Sequence, residues 1–513
     1  MQELQSFLQN EWQRGRGDGA SLYDPSTGEA IASATTDGLD LGAALAFARR
    51  EGGPALRAMT FAERGRLLTE LSKAIHAHRA ELLEVSTRNT GTTQKDSKFD
   101  IDGCTATLAA YGDLGQELGD RTYLLDGEGL QVGRSPRFHG QHIQVPLRGV
   151  AIHINAFNFP AWGFGEKLAC AFLAGMPVLT KPGTGTALPS HRIAEIVIDS
   201  GLCPPGSWSF LCGGAGDLLD HTISQDVVAF TGSAATARRI RSHPRIIEQS
   251  VRVNAEADSL NAMVVGPDVE PGSDTWDLFV RELVREMTQK TGQKCTATRR
   301  VFLPESLIEP ALEALREGLA DFPAGSAHDD ATRMGPLATP AQFPDVRDGL
   351  RELAKACEVA IGSVPDGDGK DGAVIEPVVF VARDAAKAAL VHELEVFGPA
   401  CTLLPYSGDA VEAGSLVALG GGCLVSTAYS DDLKFTEALL LELAPWNGRV
   451  LLGSKRIAEH STGPGLVMPQ LVHGGPGRAG GGLELGGLRG LNLYLQTCAV
   501  QGSRPVLEKI LGA

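Results

Sequence analysis

Between residues 148 and 260, short apolar runs alternate with helical stretches, and this alternation constrains the fold more than any other feature of the chain. It predicts an α/β fold in which crossover helices cover a parallel sheet, with ligands bound at the carboxyl ends of the strands. The predicted strands are Val150–Ile154, Val178–Thr180, Trp208–Leu211 and Val227–Phe230, and the predicted helices are Trp162–Ala174, Leu188–Asp199 and Ala234–Arg239.

The charge and the N-terminal residues exclude several classes of function. A net charge of −16 leaves no basic stripe for a nucleic acid. The first residues lack the basic start and apolar segment of a signal peptide, and no apolar run approaches the length of a membrane span. We therefore expect a cytoplasmic protein without a membrane partner, and the 513 residues predict two or three domains.

One of the nine scattered cysteines, Cys295, has an unusual setting. The odd number and the lack of a Cys-x-x-Cys pair argue against a disulfide framework or a zinc site, so we expect no metal. A lone cysteine is usually a small buried apolar residue. Cys295, however, follows the helical run Leu278–Lys290, where Gly292 allows a tight backbone, and the neighbouring Lys294 is expected to favour a thiolate.

Two polar side chains stand near the ends of predicted strands upstream of this thiol. Glu256 closes a strand within Asn254–Asp258, and Asn158 lies in the loop after Val150–Ile154. Alone, a glutamate at a strand end is normally solvated and an asparagine in a loop is normally a turn residue. Neither residue indicates a catalytic site unless it is considered together with the other motifs of the chain.

These residues belong to a set of strings that occur in a known order. The chain resembles the aldehyde dehydrogenase superfamily over nearly its whole length, and seven matches in the order of the family are very hard to obtain by chance. The matching strings are Asn158-Phe159-Pro160, Lys181-Pro182, Phe230-Thr231-Gly232-Ser233, Glu256, Gly292-Gln293-Lys294-Cys295, Glu395-Val396-Phe397-Gly398-Pro399 and the glycine-rich run from His473 to Gly487.

The resemblance implies oxidation of an aldehyde through a covalent intermediate. A thiolate on Cys295 would attack the aldehyde carbon, and the oxyanion would be held by the Asn158 amide and the Cys295 backbone N–H. The thiohemiacetal would lose hydride to a nicotinamide, and Glu256 would activate the water that hydrolyses the thioester.

The cofactor implied by the resemblance is a nicotinamide dinucleotide. Ser233 would open a helix whose backbone donors face the pyrophosphate, Lys181 would reach the adenosine ribose, and Glu395 would reach the nicotinamide ribose. The cofactor-binding residues are expected to be Phe157, Lys181, Thr184, Gly232, Ser233, Glu395 and Phe397. The chain departs from the family pattern at 234–237, where a usual glycine is replaced, and at 257–259, where Ala-Asp-Ser replaces Leu-Gly-Gly.

Thr184 predicts NADP as the cofactor, with NAD as a possible substitute. Family members that prefer NAD commonly have a glutamate at the matching position, which binds the ribose hydroxyls and would repel a 2′-phosphate. Thr184 is neutral and Lys181 adds a positive charge nearby, so the site is expected to tolerate or favour the phosphate. The alternative is that Thr184 is a variable loop residue without a role in selectivity.

The family fold implies a Rossmann-like cofactor domain (1–121 and 145–255), an α/β catalytic domain (256–487) and a small β arm for oligomerisation (122–144 and 488–513). The arm segments Thr122–Gln144 and Asn492–Val500 have the alternating pattern of extended strands. We expect them to pair between subunits in a homodimer or a higher oligomer, although two surface hairpins would have the same pattern.

Two strings, Glu256–Asn261 and His473–Gly482, resemble one branch of the family. It contains the dehydrogenase domain of a bifunctional ring-cleavage enzyme of phenylacetate degradation and a stand-alone dehydrogenase of benzoyl-CoA epoxidation. Because the chain ends at Ala513, soon after the last family string, the stand-alone form is the expected match. The implied substrate is 3,4-dehydroadipyl-CoA semialdehyde, and Gly163 and Gly165 would either widen its tunnel or simply be tolerated at a helix start.

The alternatives are a different semialdehyde substrate for the same reaction, a CoA-acylating enzyme and a non-enzymatic relative. In a CoA-acylating aldehyde dehydrogenase, CoA rather than water resolves the thioester, so the base Glu256 counts against it. A scaffolding relative without chemistry would not be expected to keep Cys295, Glu256 and Asn158 together.

Overall fold

Two seven-stranded sheets are the largest sheets in a computed structural model that describes residues 1–369 and 372–512. Three smaller sheets of two or three strands accompany them in this part of the chain. Among the described residues, no helix is both long enough and apolar enough to cross a membrane.

The N-terminal region combines short strands with a group of helices. Residues 1–146 contain β1 (Gln2–Leu4), β2 (Ser6–Leu8), β3 (Glu11–Gln13), β4 (Ala20–Tyr23), β5 (Ala30–Ala34), α1 (Leu41–Phe47), α2 (Gly53–Ala58), α3 (Phe61–Ala77), α4 (Arg79–Thr90), α5 (Gln94–Leu118), β6 (Leu124–Gln131) and β7 (Phe138–Pro146). Thr60 and Glu63 cap α3 reciprocally, because each side chain bonds to the backbone N–H of the other residue.

The first large sheet contains the predicted alternation of strands and helices. Its chain order is β8 (Ala151–Ile154), α6 (Trp162–Ala174), β9 (Val178–Lys181), α7 (Ala187–Asp199), β10 (Trp208–Phe210), β11 (Val227–Thr231), α8 (Ala234–Arg241), α9 (Pro244–Glu248) and β12 (Arg252–Glu256). Each predicted boundary lies within two residues of the observed one. The strand order is β12-β11-β8-β9-β10-β2-β3, in which β8 to β12 are parallel and β2 and β3 add an antiparallel edge.

The second large sheet has the order β15-β16-β17-β14-β13-β18-β19, with only β15 antiparallel to its neighbour. Its elements are β13 (Ala262–Val265), α10 (Asp274–Thr288), β14 (Arg300–Pro304), α11 (Ile308–Ala320), α12 (Gln342–Ala356), β15 (Glu358–Ile361), β16 (Val378–Val381), α13 (Ala389–Glu393), β17 (Ala400–Tyr406), α14 (Ala410–Ala418), β18 (Cys423–Tyr429), α15 (Leu433–Leu443) and β19 (Asn447–Gly453). Helices cover both faces, as expected for parallel sheets, and the α/β fold is confirmed.

A short hairpin and an arm complete the chain. The remaining elements are β20 (Val472–Gly474), β21 (Leu483–Leu485), β22 (Leu495–Ser503) and α16 (Arg504–Leu511). Short 3-10 turns lie at Thr184–Thr186, Leu218–His221, Gln289–Gly292, Glu305–Leu307, Ala385–Lys387, Ala444–Trp446, Gly477–Ala479 and Gly487–Leu491, and a π-helical turn lies at Ala48–Gly52.

The two predicted arm segments pair with each other within the chain. Strands β6 and β7 form the predicted hairpin, and β22 adds to β7 from Leu495 opposite Pro146 to Ser503 opposite Phe138. In the sheet order β22-β7-β6, the outer edges of β22 and β6 have no neighbour among the described strands. The pairing of arms between subunits and the predicted domain boundaries stay predictions.

Candidate active site

Cys295 is presented by a left-handed turn at the end of α10. After the helix ends at Thr288, Lys290, Thr291 and Gly292 have φ values of 53°, 57° and 66°. Left-handed backbone is unfavourable for residues with a Cβ and tends to occur at functional sites. The turn is anchored by the Lys290 N–H, which donates to Asp96 Oδ2 at 2.9 Å.

Two asparagines fix the surroundings of the predicted nucleophile. The Asn261 amide donates to the carbonyl oxygens of Cys295 at 2.8 Å and Ala297 at 2.9 Å. Asn158 is buried, and its Nδ2 donates to the Gln293 carbonyl at 3.0 Å. Because an amide nitrogen has two N–H groups, Asn158 can also donate to an oxyanion in the cavity that it lines together with Cys295.

His473 joins Glu256 and Cys295 in one buried cluster. Its Nε2 lies 3.0 Å from Glu256 Oε2 and 3.8 Å from Cys295 Sγ. Glu256 is the last residue of β12 and His473 the middle residue of β20. In the sequence His473 is recognisable only as the start of a glycine-rich run, and no role was predicted for it.

The electrostatics of the cluster favour a charged carboxylate and imidazole beside a neutral thiol. Burial and the charge of Glu256 raise the pKa of Cys295 well above its ordinary value. Burial alone would raise the pKa of Glu256, but the charges of His473 and Lys167 lower it to about 2. Burial opposes protonation of His473, but the Glu256 charge raises the pKa of the imidazole.

Lys294 does not favour the thiolate, and that expectation was wrong. Its Nζ is fully buried and donates to Glu286 Oε1 at 2.8 Å and to Gln289 Oε1 at 3.0 Å. Neighbours along the chain can point in opposite directions, and here the lysine turns toward α10. The ammonium is therefore neutralised by Glu286 rather than by Cys295.

The glycine-rich run brings His473 to Glu256. It connects β20 and β21 and packs on β12, where a Cβ on Gly480 or Gly482 would lie 2.2 or 2.4 Å from the Ala255 carbonyl. The Gly482 N–H donates to that same carbonyl at 3.1 Å. Only glycine permits this close approach. The spacing of the run therefore fixes His473 relative to the end of β12.

A buried lysine lies next to the cluster. Lys167 Nζ on α6 is 3.1 Å from Glu166 Oε1 and 3.2 Å from Glu484 Oε2. Glu484 stands opposite His473 in the β20–β21 pairing, and burial raises its pKa to about 7. A positive charge thus compensates the carboxylates on this side of the cavity.

A cavity of about 1000 Å³ on the other side of Cys295 fits a dinucleotide. All seven residues predicted to bind the cofactor line it, namely Phe157, Lys181, Thr184, Gly232, Ser233, Glu395 and Phe397. Lys181 is buried, and burial lowers its pKa to about 8. Its Nζ donates to the Pro182 carbonyl at 2.9 Å and to Thr184 Oγ1 at 3.3 Å. A buried ammonium with neutral acceptors suits a ribose hydroxyl or a phosphate.

The helix predicted to face the pyrophosphate begins as expected but has an additional partner. Ser233 is the N-cap of α8, and its side chain accepts from the Thr236 N–H. The Ala234 N–H donates to Asp258 Oδ1 at 2.9 Å. Asp258 belongs to the segment that departs from the family pattern, and its carboxylate occupies a donor that could serve a phosphate.

Glu395 and two phenylalanines also line the cofactor cavity. Glu395 Oε2 accepts from the Ser259 N–H at 2.9 Å, Oε1 lies 3.6 Å from Arg299 Nε, and burial raises the carboxyl pKa to about 7. The rings of Phe157 and Phe397 meet edge to face with centroids 5.9 Å apart.

The two glycines at the start of α6 have different surroundings. Gly163 lines the small reaction cavity with Cys295, consistent with a tunnel position. A Cβ on Gly165 would instead lie 2.7 Å from Cys104 Sγ, so this glycine allows α6 to pack against α5.

A wide groove of about 950 Å³ meets the reaction cavity at Gly465, which lines both. Phe99 of the groove contacts Phe159 and Trp162 of the reaction cavity edge to face, at centroid distances of 5.9 and 5.1 Å. The cofactor cavity and the reaction cavity in turn share Cys295 and other residues. The thiol therefore lies between the cofactor cavity and the groove.

The chain is similar to known proteins over most of its length. A model of the aldehyde dehydrogenase family matches residues 12–497. A 3,4-dehydroadipyl-CoA semialdehyde dehydrogenase from Aromatoleum evansii is 43% identical over 92% of this chain and 93% of its own length. Human retinal dehydrogenase 2 is 27% identical over 94% and 89%.

The fold is likewise similar to solved structures. A crystal structure of betaine aldehyde dehydrogenase from Staphylococcus aureus in complex with NAD⁺ has a TM-score of 0.84 and 23% identity, covering 98% of this chain and 95% of its own. The family model and the identity to the Aromatoleum enzyme extend over nearly the whole chain. The chain belongs to the aldehyde dehydrogenase family and is an NAD(P)-dependent oxidoreductase.

Proposed function

We propose that the protein oxidises 3,4-dehydroadipyl-CoA semialdehyde to the acid with NADP, through a thioester on Cys295. One observation carries this proposal: the Cys295 thiol, the Glu256 carboxylate and the Asn158 amide line the same small cavity. That cavity lies between a cavity large enough for a dinucleotide and an open groove. The 43% identity to an enzyme named for this substrate supports the choice of aldehyde.

Cys295, Asn158 and Glu256 each have a separate role in the proposed reaction. Cys295 attacks the aldehyde carbon, and Asn158 donates a hydrogen bond to the oxyanion. When bound, the nicotinamide supplies the two-electron acceptor for the oxidation. Glu256 then takes a proton from the water that hydrolyses the thioester, which favours a free acid over a CoA thioester as product.

The groove offers a place for the CoA part of the substrate. Residues from Trp276 to Gln289 of α10 and its C-terminal turn line it, a length of about 20 Å at the helical rise, as an extended pantetheine arm requires. Basic residues Lys95, Arg281, Arg285 and Arg333 line the groove. Five acidic residues line it as well, so recognition of phosphates would depend on position rather than on net charge; they are Asp96, Asp277, Glu286, Glu317 and Asp321.

Reversing charge in the groove is expected to weaken binding of the CoA-linked substrate alone. Arg281→Glu and Arg333→Glu should each raise KM for the CoA-linked semialdehyde by roughly 3- to 10-fold, because both side chains are exposed and partly screened. KM for a short free aldehyde should stay the same. Arg316→Glu, also exposed on α11 but outside the groove, is the matched control. Equal changes for both substrates, or a native enzyme that prefers the free aldehyde, would argue against this substrate.

The preference for NADP rests on Thr184 and Lys181. The Thr184 hydroxyl donates to the Gly213 carbonyl at 2.9 Å and accepts from Lys181. A neutral side chain beside a buried ammonium supports binding of a 2′-phosphate, whereas a carboxylate there would repel it.

Thr184→Glu is expected to lower kcat/KM for NADP by roughly tenfold or more, through like-charge repulsion, while NAD use changes little. Thr184→Val removes the hydroxyl without adding charge, so it separates the effect of losing the hydroxyl from the effect of a negative charge. The dissociation constant of NADP, measured by fluorescence without aldehyde, should rise as kcat/KM falls, and the dissociation constant of NAD should change little. A native enzyme that strongly prefers NAD, or an unchanged ratio in Thr184→Glu, would contradict the assignment.

Assembly through the arm is expected to give at least a dimer. Open edges of β6 and β22 leave backbone N–H and C=O groups that a strand of a second subunit can satisfy, and Leu130 on β6 is 54% exposed. Sedimentation at micromolar concentration should give the mass of a dimer or of a larger oligomer. A monomer under these conditions would refute the proposed role of the arm.

A further inference from the structure

We propose that His473 is a further catalytic residue, which provides the positive charge beside the Cys295 thiolate while Glu256 accepts the thiol proton. This proposal rests on the proposed covalent mechanism and adds a third group to its first step. It is independent of which aldehyde or which cofactor the enzyme prefers.

The short distances between Cys295, His473 and Glu256 support the proposal. The Cys295 sulfur, the His473 Nε2 and a Glu256 oxygen all lie within 4.8 Å of one another. The imidazole is 3% exposed and lies 3.0 Å from the carboxylate and 3.8 Å from the sulfur. A buried group in this position interacts strongly with any charge that forms on the sulfur.

The charged groups around His473 favour its protonated form. Carboxylates face it from three elements, with Glu256 on β12, Glu166 on α6 and Glu484 on the paired strand β21. Lys167 on α6 and Arg449 on β19 oppose them. Burial opposes the charge on His473, but the contact with Glu256 outweighs burial and these cations and raises the pKa of the imidazole, which favours a resting state with an imidazolium and a carboxylate beside a neutral thiol.

This resting state explains how a thiol with a raised pKa can react. The proton of Cys295 moves to the Glu256 carboxylate, so the S–H bond breaks and an O–H bond forms. Glu256 is then neutral and no longer opposes a thiolate, whereas His473 retains its proton and its charge. Glu256 releases the thiol proton to solvent before hydrolysis, so that its carboxylate is again free to take a proton from water. The sulfur electron pair forms the S–C bond with the aldehyde carbon, and the carbonyl electron pair moves to the oxygen near Asn158. A thiolate next to an imidazolium is a stabilised nucleophile.

Lys294 cannot replace His473 in this role. Its ammonium is bound to Glu286 and Gln289. The close packing of the glycine-rich run on Ala255 holds the imidazole against the end of β12. The arrangement therefore supplies a fixed cation at the nucleophile without any movement of the chain.

The test measures the pH dependence of Cys295 alkylation by iodoacetamide, followed by mass spectrometry of the peptide that contains Cys295. Four proteins form a cycle: the native enzyme, Glu256→Gln, His473→Gln and the double variant. Glutamine at 473 keeps an N–H donor but cannot carry the charge. His76→Gln, at an exposed position on α3, is the control for histidine replacement.

In Glu256→Gln the thiolate pairs with the imidazolium alone, so the alkylation midpoint should fall below the ordinary thiol pKa of about 8.5. Adding His473→Gln should move that midpoint up by at least about one pH unit. His473→Gln alone should slow alkylation at pH 7.5 by roughly tenfold and slow the first turnover, with the cofactor dissociation constant unchanged. Equal midpoints in Glu256→Gln and the double variant would overturn the proposal. Because alkylation needs no substrate, this result does not depend on the proposed aldehyde.

Discussion

Cys295→Ala is expected to lower kcat for aldehyde oxidation by roughly 10³-fold or more, while the cofactor binds as in the native enzyme. Removal of a nucleophile eliminates the covalent path, and the remaining groups cannot replace it. The cofactor affinity should survive because the contacts expected for the dinucleotide come from Lys181, Ser233 and Glu395. Stopped-flow turnover and fluorescence titration measure the two properties separately.

Cys357→Ala is the matched control for this experiment. Cys357 is half-buried at the end of α12, away from the three cavities around Cys295. The control should retain native activity. Substantial turnover in Cys295→Ala would refute the covalent mechanism, and loss of cofactor binding would mean that the thiol also supports the fold of the cavity.

Glu256→Gln is expected to separate the two halves of the reaction. The first turnover should produce a stoichiometric burst of reduced cofactor, after which the steady-state rate should fall by roughly 10²- to 10⁴-fold, because the base acts on water in the deacylation step. The proposed transfer of the thiol proton to Glu256 predicts in addition that the burst becomes less dependent on pH, since the thiolate is then paired with His473.

Burst kinetics of Glu256→Gln at several pH values provide the measurement. If the burst and the steady state fell together, Glu256 would be essential before hydrolysis. If added CoA restored the steady state and gave a CoA thioester, the enzyme would be CoA-acylating, which is the rival function that the carboxylate counts against.

Much of the fold could be predicted from local sequence patterns. Buried parallel strands are short apolar runs, and helix ends are marked by caps such as Thr60 and by glycines such as Gly175, which has a left-handed conformation. Cys295, Glu256 and Asn158 were identified by the resemblance of their strings to the aldehyde dehydrogenase family, since each residue alone has an ordinary structural interpretation. The structure brings these three side chains to one cavity.

The features that could not be predicted depend on contacts between distant segments. His473 follows Cys295 by well over a hundred residues, and its contact with Glu256 depends on how the glycine-rich run packs on β12. The direction of Lys294 was missed because a charge adjacent in sequence need not be adjacent in space. Pairing of the two arm segments with each other depends on the path of the chain between them. The sequence signal that could have identified His473 is its position at the start of a run of glycines.

The acyl-enzyme can be observed directly. Glu256→Gln is mixed with the CoA-linked semialdehyde and NADP, quenched in acid after the burst, and examined by mass spectrometry as the intact protein and as peptides. The account predicts one added acyl group per chain, located on the peptide that contains Cys295 and absent when NADP is omitted. A burst of reduced cofactor without an adduct, or an adduct on another residue, would contradict the central claim that oxidation proceeds through a thioester on Cys295.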